Sequence, residues 1–179
     1  MGSPVAAPRE GQDGTGFTGA VTRIVTFWAL LGGALLLIVV ALNMASVIAG
    51  IFGAPLPGDF ELTEMGVAVA AFAFLPYCQI TGANVTADIF TSGASPRVIA
   101  FLSLIGALVA LAFSALLIWR MYAGLLDQKA YDYTTAILQV PHWWAFVPIL
   151  ASLGLLALSA LASLMQEARR LSPEGKTDE

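Results

Sequence analysis

The sequence predicts an all-α, polytopic membrane protein with four transmembrane helices and both termini cytoplasmic. The first sign is composition: the 179-residue chain is 58% hydrophobic and only 11% charged, whereas soluble domains carry about 25% charged residues. Mean hydropathy is +0.82. The second sign is that Asp, Glu, Lys and Arg are missing from residues 24–58, 65–87, 98–119 and 133–166. Each run supplies the ~20 apolar residues that cross a hydrocarbon core. The third is their texture, rich in Ala, Leu, Val and Gly without strict alternation. Such runs suit helices, which satisfy their own backbone in lipid, rather than barrel strands.

Taken in order, residues 1–20 contain MGSPVAAPREGQDGTG and read as a disordered cytoplasmic tail. A four-helix membrane domain is expected over residues 21–170. Its first span, about 23–49, far exceeds the apolar segment of about 7–15 residues in a signal peptide, so it should remain as an anchor. The stretch GIFGAPLPGD then breaks the chain with Gly and Pro. The second span, about 62–82, opens beside Asp59, Glu61 and Glu64, acids that suit the positive end of a helix dipole. QITGANVTADIF follows, and TSGASPR marks the next turn. There Ser95 can cap a helix and Pro96 fits its first position. The third span is expected over about 96–120, followed by a loop holding Asp127, Lys129 and Asp132. QVPHWW opens the fourth span, about 141–166, with Pro141 near its start, and Arg169 and Arg170 end it. Residues 171–179 form a second cytoplasmic tail.

Basic residues set the orientation. With four spans, Arg9, Arg23, Arg97, Arg169, Arg170 and Lys176 share one side, and Arg120 and Lys129 the other. The richer side, carrying both termini, is expected to be cytoplasmic, in a bacterial inner membrane. Trp119, Tyr122, Trp143 and Trp144 then fall together at the outer interface as an aromatic belt. Asp88 falls in the loop between the second and third spans, near the headgroups. At the bilayer centre an ionised acid would cost several kcal/mol.

The residue inventory excludes most chemistry. His142 is the sole histidine and Cys78 the sole cysteine, so a bis-histidine haem or an internal disulfide within this chain is impossible. No Cys or His pair has metal-ligand spacing, and no phosphate loop, nucleophile elbow or acid pair within a span is present. No catalytic residue, cofactor or metal is expected, nor an enzyme. Without a basic stripe, nucleic acid is no partner.

Inside the spans the conspicuous polar groups are Asn43, Ser46, Gln79, Thr81, Ser103 and Ser114, with Pro76 and Pro148 as candidate kinks. Gly32, Gly33, Ala34 and Gly106 read as helix-packing positions. A translocation path usually needs intramembrane ionisable groups or broken helices around a site, so the chain reads as an accessory membrane subunit. Candidate interface or loop-fixing residues are Glu61, Glu64, Asn84, Asp88, Arg97 and Arg120. Asp88 has two readings, a fixing point that pairs with Arg97 or a solvated turn residue. Glu61 and Glu64 either compensate the helix dipole or meet a partner.

GDFELTEMG, ITGANVTADIF, SPR and YDYTTAILQVPHWWAFVPI follow one another in order. In this the chain resembles the small membrane subunit of tripartite ATP-independent periplasmic (TRAP) transporters, the DctQ type. The resemblance covers about residues 22–170. It includes Thr134, Thr135, Leu138, Pro141, Trp143 and Trp144, which reproduce a family pattern of Thr, a short apolar stretch, Pro and aromatics. Gly82, Asn84 and Asp88 fit the family's loop frame, with Asn84 standing where the family usually has His and no basic residue before Gly82. The resemblance implies a sodium-coupled system for organic acids or related solutes. Its partners would be a large multi-span transport subunit, which this chain would steady as a scaffold, a periplasmic solute-binding protein, and the lipid bilayer. Two other classes stay open: a membrane anchor subunit of a redox complex, and an independent small transporter.

Overall fold

The computed structural model describes residues 16–54, 56–82 and 96–171. Four helices account for nearly all of them: α1, Phe17–Ile51; α2, Asp59–Thr81; α3, Pro96–Ala130; and α4, Trp143–Leu171. All four are long and apolar enough to cross a membrane. At 1.5 Å per residue, the 35-residue α1 and α3 each run about 50 Å, well beyond a hydrocarbon core of about 30 Å. Such helices tilt or carry their ends past the core.

Two boundaries differ from the sequence expectation. Helix α1 begins at Phe17, so residues 17–20 are helical rather than part of a tail. The hydroxyls of Thr22 and Thr26 donate to the carbonyls of Thr18 and Thr22, at 2.9 and 2.8 Å. Helix α3 does not stop at Arg120 but continues to Ala130, placing Asp127 and Lys129 on the helix. Charge ends an apolar run without ending a helix. MYAGLLDQKA is made mostly of good helix formers, and Lys129 in the last turn suits the negative end of the dipole. Gly124, the weakest helix former there, lies against α4, where a Cβ would sit 3.1 Å from the Phe146 ring.

The same extension brings Lys129 to the aromatic residues that open α4. The Lys129 ammonium lies 5.8 Å from the Trp143 ring centroid, and Trp143 meets Trp144 edge to face at 6.2 Å. Trp119 lies ten residues, about 15 Å of helix, before Lys129 on the same helix.

In space the order is α1, α2, α4, α3. Helix α4 is the hub, packing along α3 and α2 and touching α1 more briefly, while α1 packs along α2. Among the described residues of α4, Ile149, Ser152, Leu153, Ser159, Ala160 and Ala162 are buried. Between α1 and α2, contact depends on absent side chains. A Cβ on Gly32 would lie 2.7 Å from that of Ala73, and one on Gly66 would lie 2.5 Å from Val39 Cγ2. This is the small-residue packing that lets helices approach when lipid removes the hydrophobic drive. Both candidate kink prolines lie inside helices, Pro76 in α2 and Pro148 in α4; lacking an N–H, each leaves the carbonyl four residues earlier without its helical partner.

Candidate functional site: the paired loops

The α1–α2 and α3–α4 loops lie at one end of the bundle and are fastened to each other. The fastening begins at the start of α2. Gly58 precedes the helix at φ +79, a left-handed conformation that costs a side-chain-bearing residue. Asp59 follows as the first helical residue. Its carboxylate accepts hydrogen bonds from the Ser46 hydroxyl on α1 and, at 2.7 Å, from the Phe60 amide. One turn later the Asn43 side-chain amide donates to Thr63 Oγ1 at 2.7 Å and to the Val39 carbonyl at 2.8 Å. Thr63 in turn donates to the Asp59 carbonyl at 2.7 Å. This ladder closes the α1–α2 hairpin.

The α3–α4 loop forms a small hairpin of its own. Thr134 and Pro141 pair as an isolated antiparallel bridge. The Thr135 amide donates to the Val140 carbonyl, the Val140 amide to the Thr135 hydroxyl, and the His142 amide to the Tyr133 carbonyl, each at 3.0 Å. Thr135 is buried, and Gln139 takes a positive φ of 53 to close the turn. The tip, residues 136–139, is thus held from both sides.

Glu61 joins the two hairpins. Its Oε1 accepts the Ile137 amide at 2.7 Å and its Oε2 the Leu138 amide at 3.0 Å. Charge-assisted bonds of this kind exceed neutral ones in strength. Beside them, Leu138 packs on Gly58, where a Cβ would come within 2.7 and 2.9 Å of the two Leu138 methyls. A carboxylate and a leucine thus hold one hairpin to the other.

The candidate residues divide accordingly. Glu61 is half-buried, turned toward the α3–α4 loop rather than serving only the dipole of its own helix. Glu64, one turn on, is exposed, as is Arg120 on α3. Asn84 and Asp88 lie outside the described residues, and Arg97 is placed only as the second residue of α3. Deeper in the bundle, Trp28 Nε1 donates to Ser152 Oγ at 2.8 Å, and Ser152 donates to the Pro148 carbonyl at 2.8 Å. Neither Trp28 nor Ser152 is among the sequence candidates. A tryptophan inside a span, away from the interfacial belt, is the signal that points to it. Among the described residues, no cluster of His, Cys, Asp and Glu could hold a metal ion.

A family of known proteins matches residues 38–170: the tripartite ATP-independent periplasmic transporters, DctQ component. The match takes in most of the described chain. The chain belongs to the DctQ family. Comparison with curated proteins and with solved structures returned no match. The DctQ match includes every residue of the loop fastening, from Asn43 and Ser46 through Gly58, Asp59 and Glu61 to Thr135, Leu138 and Pro141. It also includes Ser152 but not Trp28. As a DctQ component the chain is a multi-pass membrane subunit of a TRAP transporter system.

Proposed function

We propose that this chain is the small permease subunit of a sodium-coupled, binding-protein-dependent secondary transporter for organic acids or related solutes. It packs against the large multi-span subunit and steadies it while the transport domain moves. Both termini face the cytoplasm of a bacterial inner membrane, an orientation motivated by the uneven distribution of Lys and Arg. The paired loops then face the periplasm, where they offer a surface to the solute-binding protein. Asn84, Asp88, Arg97, Glu64 and Arg120 remain candidates for contact with the large subunit.

The observation that carries this reading is the DctQ match along 38–170. Its physical support is the breadth of apolar side chains left exposed on the outer helices, such as Phe27, Leu30, Leu37 and Val47 on α1 and Leu108, Val109, Phe113 and Leu116 on α3. Faces of this kind are stable only against lipid or another protein.

Reconstitution tests it. Liposomes holding this chain alone take up no solute. Liposomes holding this chain with its large subunit, supplied with the binding protein and a sodium gradient, do. Uptake by this chain alone would overturn the reading.

A further inference from the structure

Glu61 meets the α3–α4 loop through backbone amides rather than through a cationic side chain. Ile137 and Leu138 are adjacent in sequence, and each addresses a different oxygen of one carboxylate, at 2.7 and 3.0 Å. Successive amides converging on one point form an anion-binding concavity. The two-oxygen match fits a planar carboxylate better than a spherical ion.

The frame of this concavity does not depend on Glu61. It is closed by the bonds between Thr135 and Val140 and between His142 and Tyr133, and it is anchored by the buried Thr135. Leu138 is seated against Gly58 independently of the carboxylate. Removing the Glu61 side chain therefore leaves a turn whose amides still converge, beside a space of about the size removed.

We propose that the turn carrying the Ile137 and Leu138 amides is a carboxylate receptor whose resident ligand is Glu61. When that side chain is shortened, the receptor takes small free carboxylates such as formate or acetate. The receptor belongs to one hairpin and its ligand to the other, so their union registers that the two hairpins are correctly docked. This inference stands independently of the transport reading.

Amide hydrogen exchange of the full chain in lipid nanodiscs tests it, read at Ile137 and Leu138. Both amides are protected in the native protein and exchange severalfold faster in Glu61→Ala. Added formate restores protection in Glu61→Ala, whereas chloride at equal ionic strength does not. Unchanged protection in Glu61→Ala overturns the proposal, as does restoration by chloride as effective as that by formate, or no restoration by formate. Should Glu61→Ala fail to insert, Glu61→Gln gives the decision. Its side chain offers one acceptor oxygen and one NH2 group, so one of the two amides loses protection. Full protection of both overturns the proposal.

Discussion

The two contact regions of the molecule hold helices together by opposite means. In the body of the bundle, α1 and α2 meet where side chains are missing, at Gly32 against Ala73 and Gly66 against Val39. At the loop end, contact is made by groups that are present and charged: Asp59 accepts from Ser46 to close the α1–α2 hairpin, and Glu61 grips two amides of the α3–α4 hairpin. The difference follows from the surroundings. Within hydrocarbon a polar group must find a partner or bear desolvation, so close packing of small residues is the economical glue. Toward the headgroups, water competes for every polar group, and a contact lasts only where several bonds converge on a preformed shape. The body therefore tolerates almost no added volume, while the loop end tolerates volume better than loss of geometry.

That contrast is broken most sharply by adding volume to the body. Gly32→Val places a branched side chain where even a Cβ would be 2.7 Å from Ala73 Cβ, an atom that no rotamer change can move. The expected cost is about 1–3 kcal/mol, read as a fall in thermal unfolding temperature in detergent. The equivalent change at Gly66 faces Val39 Cγ2, which can swing aside, and should cost less. Equal losses at the two positions would mean that α1 and α2 separate as rigid bodies.

A smaller effect is expected at Gly58, where the loop end combines close approach with a left-handed backbone. Gly58→Ala should lose roughly 1–2 kcal/mol through φ alone, with a further loss from crowding Leu138. In a double-mutant cycle with Leu138→Ala, the pair should cost less than the sum of the single changes, because the crowding disappears while the backbone cost stays. Strict additivity would show that Leu138 does not rest on Gly58 in solution.

The smallest effect sharpens the comparison from inside the body, at the hydrogen bond between Trp28 on α1 and Ser152 on α4. A cycle of Trp28→Phe and Ser152→Ala should give a coupling near 0.6 kcal/mol, the average for hydrogen bonds between transmembrane helices, which run up to about 1.7. Ser152 keeps the Pro148 carbonyl as a second partner, which limits the loss when the indole is removed. Coupling near zero would assign the α1–α4 crossing to shape alone.

How far the sequence could be read depended on the kind of interaction. Glu61 was visible as an acid at a helix start, yet its partners lie 76 and 77 residues away and are backbone amides. Every residue has an amide, so nothing in the letters Ile137 and Leu138 marks them as receptors. Trp28 and Ser152 escaped for a related reason: a tryptophan inside a span hints at a polar partner, but nothing in the sequence names Ser152, 124 residues away, as that partner. The extension of α3 past Arg120 was hidden because charge pattern reports the edge of the membrane, whereas helix continuation depends on local propensity and on α4 lying alongside.

What the sequence determined by itself is the all-α class and the four apolar helices. Both follow from the need to keep charge out of hydrocarbon and to satisfy every backbone group there, conditions written directly into composition and run length. What only the tertiary structure decided is the order α1, α2, α4, α3, the small residues that face each other, and the seat of the Glu61 carboxylate. These depend on which surfaces meet across long sequence separations. Uniformly apolar helices give little warning of that, because lipid and protein neighbours demand the same side chains.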